Sequence, residues 1–228
     1  VTVSSAALSW QAPADSPAPD SYQVLREGHV VGTVDGRTTT YRDTDLDPGT
    51  AYSYQVVATW GGNSSKPGDS VTVRTTAPPL SDARLAACAL PVQVHITGVS
   101  EITNLRPGLS WTRSWQFTPL CPAGACDVQL SGDFSPPDLV ANKFSMRLTR
   151  RGSVYTGTAT AHLSTCRTVK VTDTLTIRLT VGSGYAANHV WTVGSFTGTL
   201  TMDSPLVEAG GGQFCPVSRI DSTIAGSY

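Results

Sequence analysis

Leu46-Asp47-Pro48-Gly49-Thr50-Ala51-Tyr52-Ser53-Tyr54-Gln55-Val56-Val57-Ala58-Thr59 decides how the first third of this chain folds. Pro48-Gly49 is turn chemistry, since proline pre-sets one backbone angle and glycine admits the left-handed one. The run from Ala51 to Thr59 is long for a strand and places Tyr52, Tyr54, Val56 and Ala58 on one face. Upstream, Ala7-Leu8-Ser9-Trp10 alternates, and a loop rich in Pro, Asp and Ser occupies 13–19. Ser21 to Arg26 alternates again and turns at Glu27-Gly28. Val30 to Val34 and Thr38 to Tyr41 flank Asp35-Gly36, a hairpin-type turn. Downstream, Ser70 to Thr75 completes a set of short strands separated by turn residues, which is the pattern of an antiparallel sandwich.

The spacing Leu46-x-Pro48-x-x-x-Tyr52 resembles the corner motif of fibronectin type III domains. Trp10 is similar to the family's buried tryptophan on the second strand, and Tyr22-x-Val24-x-Arg26 to its third strand. The resemblance covers about Val1 to Thr76. It implies a β-sandwich in which Tyr52 packs its ring inward and bonds its hydroxyl to the corner backbone. It also implies an auxiliary role, because such modules serve as spacers in secreted bacterial enzymes and as ligand-binding modules in adhesion and receptor proteins. No Arg-Gly-Asp tripeptide supports an integrin-type contact, so spacer is the preferred reading. Asn63-Ser64-Ser65 is a glycosylation sequon only if the host modifies such sites.

Thr75-Thr76-Ala77-Pro78-Pro79-Leu80-Ser81 reads as a boundary, because paired prolines stiffen a connection and cannot enter a central strand. The expected organisation is a sandwich over 1–77, a linker over 78–90 and a disulfide-bonded β-domain over 91–228. Asp82 to Ala89 is Ala-rich and is expected to make a short helical turn. Beyond it, strand patterns run over 92–96, 109–117, 126–130, 144–148, 155–163, 168–181 and 190–202. Phe196-Thr-Gly-Thr-Leu-Thr echoes Tyr155-Thr-Gly-Thr-Ala-Thr, and glycine at the same strand position twice points to a bend or a close backbone approach. Seven or more strands with short loops favour an antiparallel meander closed into a barrel, with a two-sheet sandwich as the alternative. The fold class is therefore all-β throughout. The segment from Val92 to Cys215 also resembles exported β-domains of high-GC Gram-positive bacteria, which implies location rather than activity.

Composition narrows the partners. Charged residues are 14% of the 228-residue chain, against about 25% in an average protein. A net charge of -1 gives no basic field toward nucleic acid or anionic lipid. Arg147, Arg150 and Arg151 cluster, and read as solvated charges at a strand edge. No run reaches the ~18 apolar residues of a membrane span, so no membrane segment is expected in this chain. The sequence opens in a strand pattern without a signal peptide, from which a longer natural polypeptide is expected. Five cysteines all follow residue 80. Cys121 and Cys126 bracket a Pro-Ala-Gly-Ala turn, while Cys166 ends a strand and Cys215 follows a triple-glycine loop. The expected pairs are Cys121–Cys126 and Cys166–Cys215, with Cys88 left over. Disulfides persist in oxidising compartments, so an extracellular or cell-surface location follows, and the resemblance to exported domains implies a bacterial one.

Candidate chemistry is confined to a few residues. Arg113 lies between Trp111 and Trp115 on a face that should be buried, and a charge there requires a partner. Pairing with Asp173, which also interrupts an apolar face, or stacking between the indoles would provide one. The three side chains could instead line a pocket for an anionic or sugar ligand. Trp191 breaks the phase of its strand and, with Tyr185, could form a sugar-stacking platform. No nucleophile elbow, zinc-protease helix, Walker loop or dinucleotide fingerprint is present. Asp127, Asp133, Asp138 and Asp173 are the carboxylates from which a glycosidase pair would have to come. No metal or cofactor is expected; the histidines are isolated from the cysteines and the Cys121-x4-Cys126 spacing stands alone. The expected function is non-enzymatic: a spacer presenting a β-domain that binds a cell-surface polysaccharide or protein. The alternatives are a barrel enclosing a small apolar ligand, as carrier or sensor, and a hydrolase with dispersed carboxylates.

Overall fold

The computed structural model describes all residues except 13, 15, 101–105 and 136–142, and all their side chains except those of 100 and 163. The chain forms two compact units, Val1–Pro78 with Tyr185–Trp191, and Pro79–Gly184 with Thr192–Tyr228.

The first unit carries β1 (Ala6–Ser9), β2 (Ser21–Arg26), β3 (His29–Asp35), β4 (Thr40–Asp43), β5 (Ala51–Trp60), β6 (Asn63–Ser64) and β7 (Val71–Arg74). β1 and β4 pair as one sheet; the other runs β3-β2-β5-β6, with β7 also paired to β5. Ala6, Val24, Leu46 and Tyr54 are buried between them, with Leu8, Trp10, Tyr41, Tyr52 and Val73 packed around. The corner closes as the motif implies: the Asp47 backbone N–H donates to the Tyr52 hydroxyl at 2.8 Å. Trp10 was expected in the core and is instead half-buried just beyond β1, meeting Tyr22 edge-on at 5.4 Å. Its strand ends one residue earlier, so the ring lies over the core margin. Asp43 is the polar hub of the unit. It accepts from Arg26 at 2.9 Å and from the Tyr54 hydroxyl at 2.7 Å. Burial and that bond to the carboxylate push the Tyr54 phenol above its ordinary range.

The second unit is a closed barrel of eight strands, β8 (Cys88–Ser100), β9 (Ser110–Pro119), β10 (Val128–Asp133), β11 (Lys143–Arg151), β12 (Val154–Cys166), β13 (Val169–Ala187), β14 (Val190–Ser204) and β17 (Ser218–Ser227). Between the last two, β15 (Val207–Glu208) and β16 (Phe214–Cys215) form a small separate hairpin. Each barrel strand lies beside its neighbour in the chain, and β17 closes the ring by pairing with both β14 and β8. This is the meander that the strand spacing favoured. β17 is an addition to the seven expected strands.

Alternation dictates what fills the barrel. β9 sends Trp111, Trp115 and Phe117 inward and Thr112, Ser114 and Gln116 outward. β11 buries Phe144, Met146 and Leu148; β13 buries Leu175, Ile177, Leu179 and Val181. Phe117 and Phe196, from strands separated by two others in the ring, meet inside it with centroids 5.5 Å apart. Eight strands enclose a space that side chains of this size occupy. The glycines of the echoed motif allow the necessary coiling. A Cβ at Gly157 would lie 2.5 Å from the Arg147 carbonyl oxygen, and one at Gly198 would lie 3.0 Å from the Leu179 Cα. Neighbouring backbone passes where a side chain would otherwise be.

Residues 79–90, read from sequence as linker, are counted in the barrel unit. Leu80–Asp82 makes one 3-10 turn in place of the helical turn expected over 82–89, and β8 already begins at Cys88. Ala83 and Leu85 are buried. Arg150 holds this approach: its guanidinium donates to the Leu80, Ser81 and Ala83 carbonyls at 3.2, 2.5 and 2.7 Å. It also bonds the Tyr155 hydroxyl and lies 4.9 Å over that ring. Within the expected solvated cluster, Arg150 is thus a clamp, and Arg147 grips Asp127 through Nε and Nη2 at 3.0 and 2.7 Å.

Both expected disulfides are present, Cys121–Cys126 and Cys166–Cys215, and Cys88 is a half-buried free thiol. The second bond ties β16 to the end of β12. Among the described residues no helix is long and apolar enough to cross a membrane.

Candidate functional site

The residues singled out as ligand-binding divide between the two units. Trp111, Arg113 and Trp115 follow one another on the inner face of β9 and serve its core. Trp115 is fully buried; its indole N–H donates to the Asp133 carbonyl at 3.0 Å and its ring meets Phe144 edge-on at 5.2 Å. Trp111 is buried against Phe134 at 5.9 Å. Arg113 does not pair with Asp173 as one expectation had it. It donates through Nε to the Ser135 carbonyl at 2.8 Å and lies 3.5 Å from the Asp133 carboxylate. Asp133 ends β10, the strand that follows β9 in the chain and pairs with it, and that antiparallel register carries the strand end back alongside Arg113. The arginine is thus satisfied by an inward-turned strand end. Trp191 and Tyr185 are counted with the first unit. Tyr185 is 40% exposed, and Trp191 is half-buried with its indole N–H enclosed.

The carboxylates are engaged in the fold. Asp127 accepts from the Arg150 backbone N–H at 2.8 Å and from the Arg147 guanidinium. Those bonds, the backbone one first, hold its carboxyl below the ordinary range. Asp133 accepts the Ser135 N–H at 2.9 Å beside its contact with Arg113. Asp173 is fully buried and accepts the hydroxyls of Ser164 and Ser204 at 2.8 and 2.5 Å. Asp138 lies outside the described residues. Among the described residues no cluster of three His, Cys, Asp or Glu side chains has metal-ligand geometry.

Two concave surfaces lie on the outer side of the barrel wall. One groove of about 460 Å³ crosses β13, β14, β17 and β8, lined by Arg178, Thr180, Thr197, Thr199, Thr223 and His95 among others. A second, of about 780 Å³, crosses β11, β12 and β13, lined by Thr149, Arg151, Thr156, Thr158, Thr176 and Arg178. Arg178 belongs to both, so the two grooves meet at its side chain. Strand register produces the surface: outward positions of β12 and β13 oppose one another as Thr156↔Arg178, Thr158↔Thr176 and Thr160↔Thr174. Across β14 and β17, Thr199 opposes Thr223, which in turn opposes His95 on β8. The signal is in the sequence as the polar half of each alternating strand.

The family model for the fibronectin type III domain matches residues 1–74. Chitinase 63 of Streptomyces plicatus is 46% identical over 77 residues, which are 33% of this chain and 12% of that protein. Chitinase C of Streptomyces lividans is 42% identical over 76 residues, 33% of this chain and 12% of its own length. Exoglucanase B of Cellulomonas fimi is 41% identical over 80 residues, 35% of this chain and 7% of the relative. The chain thus spans about an eighth or less of the length of these relatives. No solved structure matches the chain. Residues 1–74 are a fibronectin type III domain, as the corner motif implied.

Proposed function

We propose that this chain is the non-catalytic binding part of an exported bacterial protein, in which the fibronectin type III domain is a spacer and the barrel contacts a polysaccharide. The observation that carries this reading is the pair of hydroxyl-lined grooves on the outer wall of a barrel whose interior is occupied by its own side chains. Concave surfaces with several convergent polar groups are where ligands bind. The relatives' names support the substrate class, since chitinases and an exoglucanase carry the matching domain. Two disulfides support an oxidising, extracellular location.

The alternatives have less support. A carrier for a small apolar ligand needs room inside, whereas Trp115, Phe117, Phe196 and Leu175 are buried at 2% exposure or less within the barrel. A hydrolase needs free carboxylates, and Asp127, Asp133 and Asp173 are each held by structural donors. Nucleic acid is disfavoured by the net charge of -1.

Affinity electrophoresis of the full chain through gels containing single polysaccharides tests the reading. At least one polysaccharide should retard the chain, and Thr197→Glu with Thr199→Glu should abolish the retardation without unfolding the protein. Normal migration in every gel would remove the polysaccharide. Turnover of glycoside substrates would remove the non-catalytic assignment.

A further inference from the structure

The grooves share a chemical character that narrows the ligand. Their charged or ionisable lining residues are Arg178, Arg151 and His95, with no carboxylate among them. On a chain of net charge -1 this is a local departure from the whole. The two arginines differ from the others of the barrel wall. Arg147 is taken by Asp127, Arg219 by Asp203 and Asp221, and Arg150 by backbone carbonyls. Arg178 and Arg151 are exposed, and neither side chain donates to any described residue. The eight threonines along the two grooves likewise leave their hydroxyls to solvent or ligand.

Aromatic side chains are missing from both linings. A neutral glycan gains much of its affinity by laying apolar ring faces on aromatic rings, and a single-stranded nucleic acid by stacking its bases on them. A groove without aromatics relies on hydrogen bonds and charge. Neutral hydrogen bonds exchanged with water contribute little net affinity, whereas those made by a charged group contribute about two to three times more. The guanidinium fork also matches the paired oxygens of carboxylate or phosphate.

Resting on the polysaccharide reading above, we propose that the barrel selects an anionic glycan, bearing uronate or phosphodiester groups. Arg178 sits at the junction of the grooves as its central anchor and Arg151 is a second one. The chain would lie across β11, β12, β13, β14, β17 and β8, an arc of roughly 24 Å at the usual strand spacing. Threonine hydroxyls along the arc would bond the sugar hydroxyls between charges.

The test is affinity electrophoresis of the full chain in polygalacturonate, in a phosphomannan, in neutral hydroxyethylcellulose and against a single-stranded DNA oligonucleotide. Expected is retardation by polygalacturonate, the phosphomannan or both; the arm that responds identifies the anionic group. Arg178→Gln should weaken that retardation about tenfold or more, and Arg151→Gln also measurably. Raising NaCl from about 0.05 to 0.5 M should weaken it further. Arg37→Gln, which removes the same charge from an exposed site of the other unit, should leave it unchanged. Circular dichroism of each variant verifies folding, which outward-facing side chains do not control. Retardation by hydroxyethylcellulose that is indifferent to Arg178→Gln would overturn the anionic assignment and leave the polysaccharide reading standing. DNA binding with the same arginine dependence would overturn the glycan as the partner. Migration unaffected by every polymer would overturn both.

Discussion

Gly157→Ala isolates the reason this sequence closes into a barrel. The substituted Cβ would lie 2.5 Å from the Arg147 carbonyl oxygen and 2.7 Å from Leu148 Cδ2. Carbon–oxygen contacts normally settle near 3.3–3.6 Å, so about 0.8 Å of movement must come from a neighbouring backbone. That backbone belongs to β11, which is paired on both sides and cannot shift alone. Overpacking of this kind costs about 2–3 kcal/mol, and alanine returns about 0.4–1 kcal/mol by restricting the unfolded chain. The net is a loss of about 2 kcal/mol, or roughly 4–8 °C in the barrel's melting temperature at this size. Gly182→Ala is the matched control. Its Cβ would lie 3.2 Å from the Ser195 hydroxyl, which can rotate, and at an ordinary 3.8 Å from the Ser195 carbonyl oxygen. Differential scanning calorimetry of the two variants beside the parent measures both. Equal melting temperatures for Gly157→Ala and Gly182→Ala would refute close strand approach as the role of the glycine.

The disulfides should differ in weight. Cys166–Cys215 spans a sequence separation of 49 and Cys121–Cys126 one of 5, so replacing each pair by serine should cost about 4 and about 2 kcal/mol in urea titrations. Asp127 is a carboxylate whose folded-state pKa is depressed. Its contribution is fully present above the unfolded value of about 3.9 and is lost as pH falls through the lower folded value. Asp127→Asn should therefore lower stability at pH 7 and flatten the loss between pH 4 and 2, as read by thermal melts across that range. Tyr52→Phe removes the acceptor of the Asp47 N–H and should destabilise the fibronectin type III unit by about 1–2 kcal/mol, measured by denaturant titration of the full chain.

Local chemistry determined much of this protein before any contact was known. Leu46, Pro48 and Tyr52 specify the corner because turn geometry and the tyrosine bond both act within seven residues. Inward and outward positions on β9, β11 and β13 follow from period-two alternation, and the cysteine pairs followed from the turns that present them. The strand that closes the barrel was not legible. β17 turns Ser218 and Ser222 inward beside Ile220 and Ile224, too weak an apolar pattern to stand out. Its place depends on pairing with β14 and with β8, more than a hundred residues upstream. Register between the neighbouring strands β9 and β10 decided the fate of Arg113, which meets Asp133 where Asp173 had been expected. Strand register also decided the outer grooves. Each strand displays its own threonines, but which ones become neighbours is set by register between strands, and register is a property of the closed sheet.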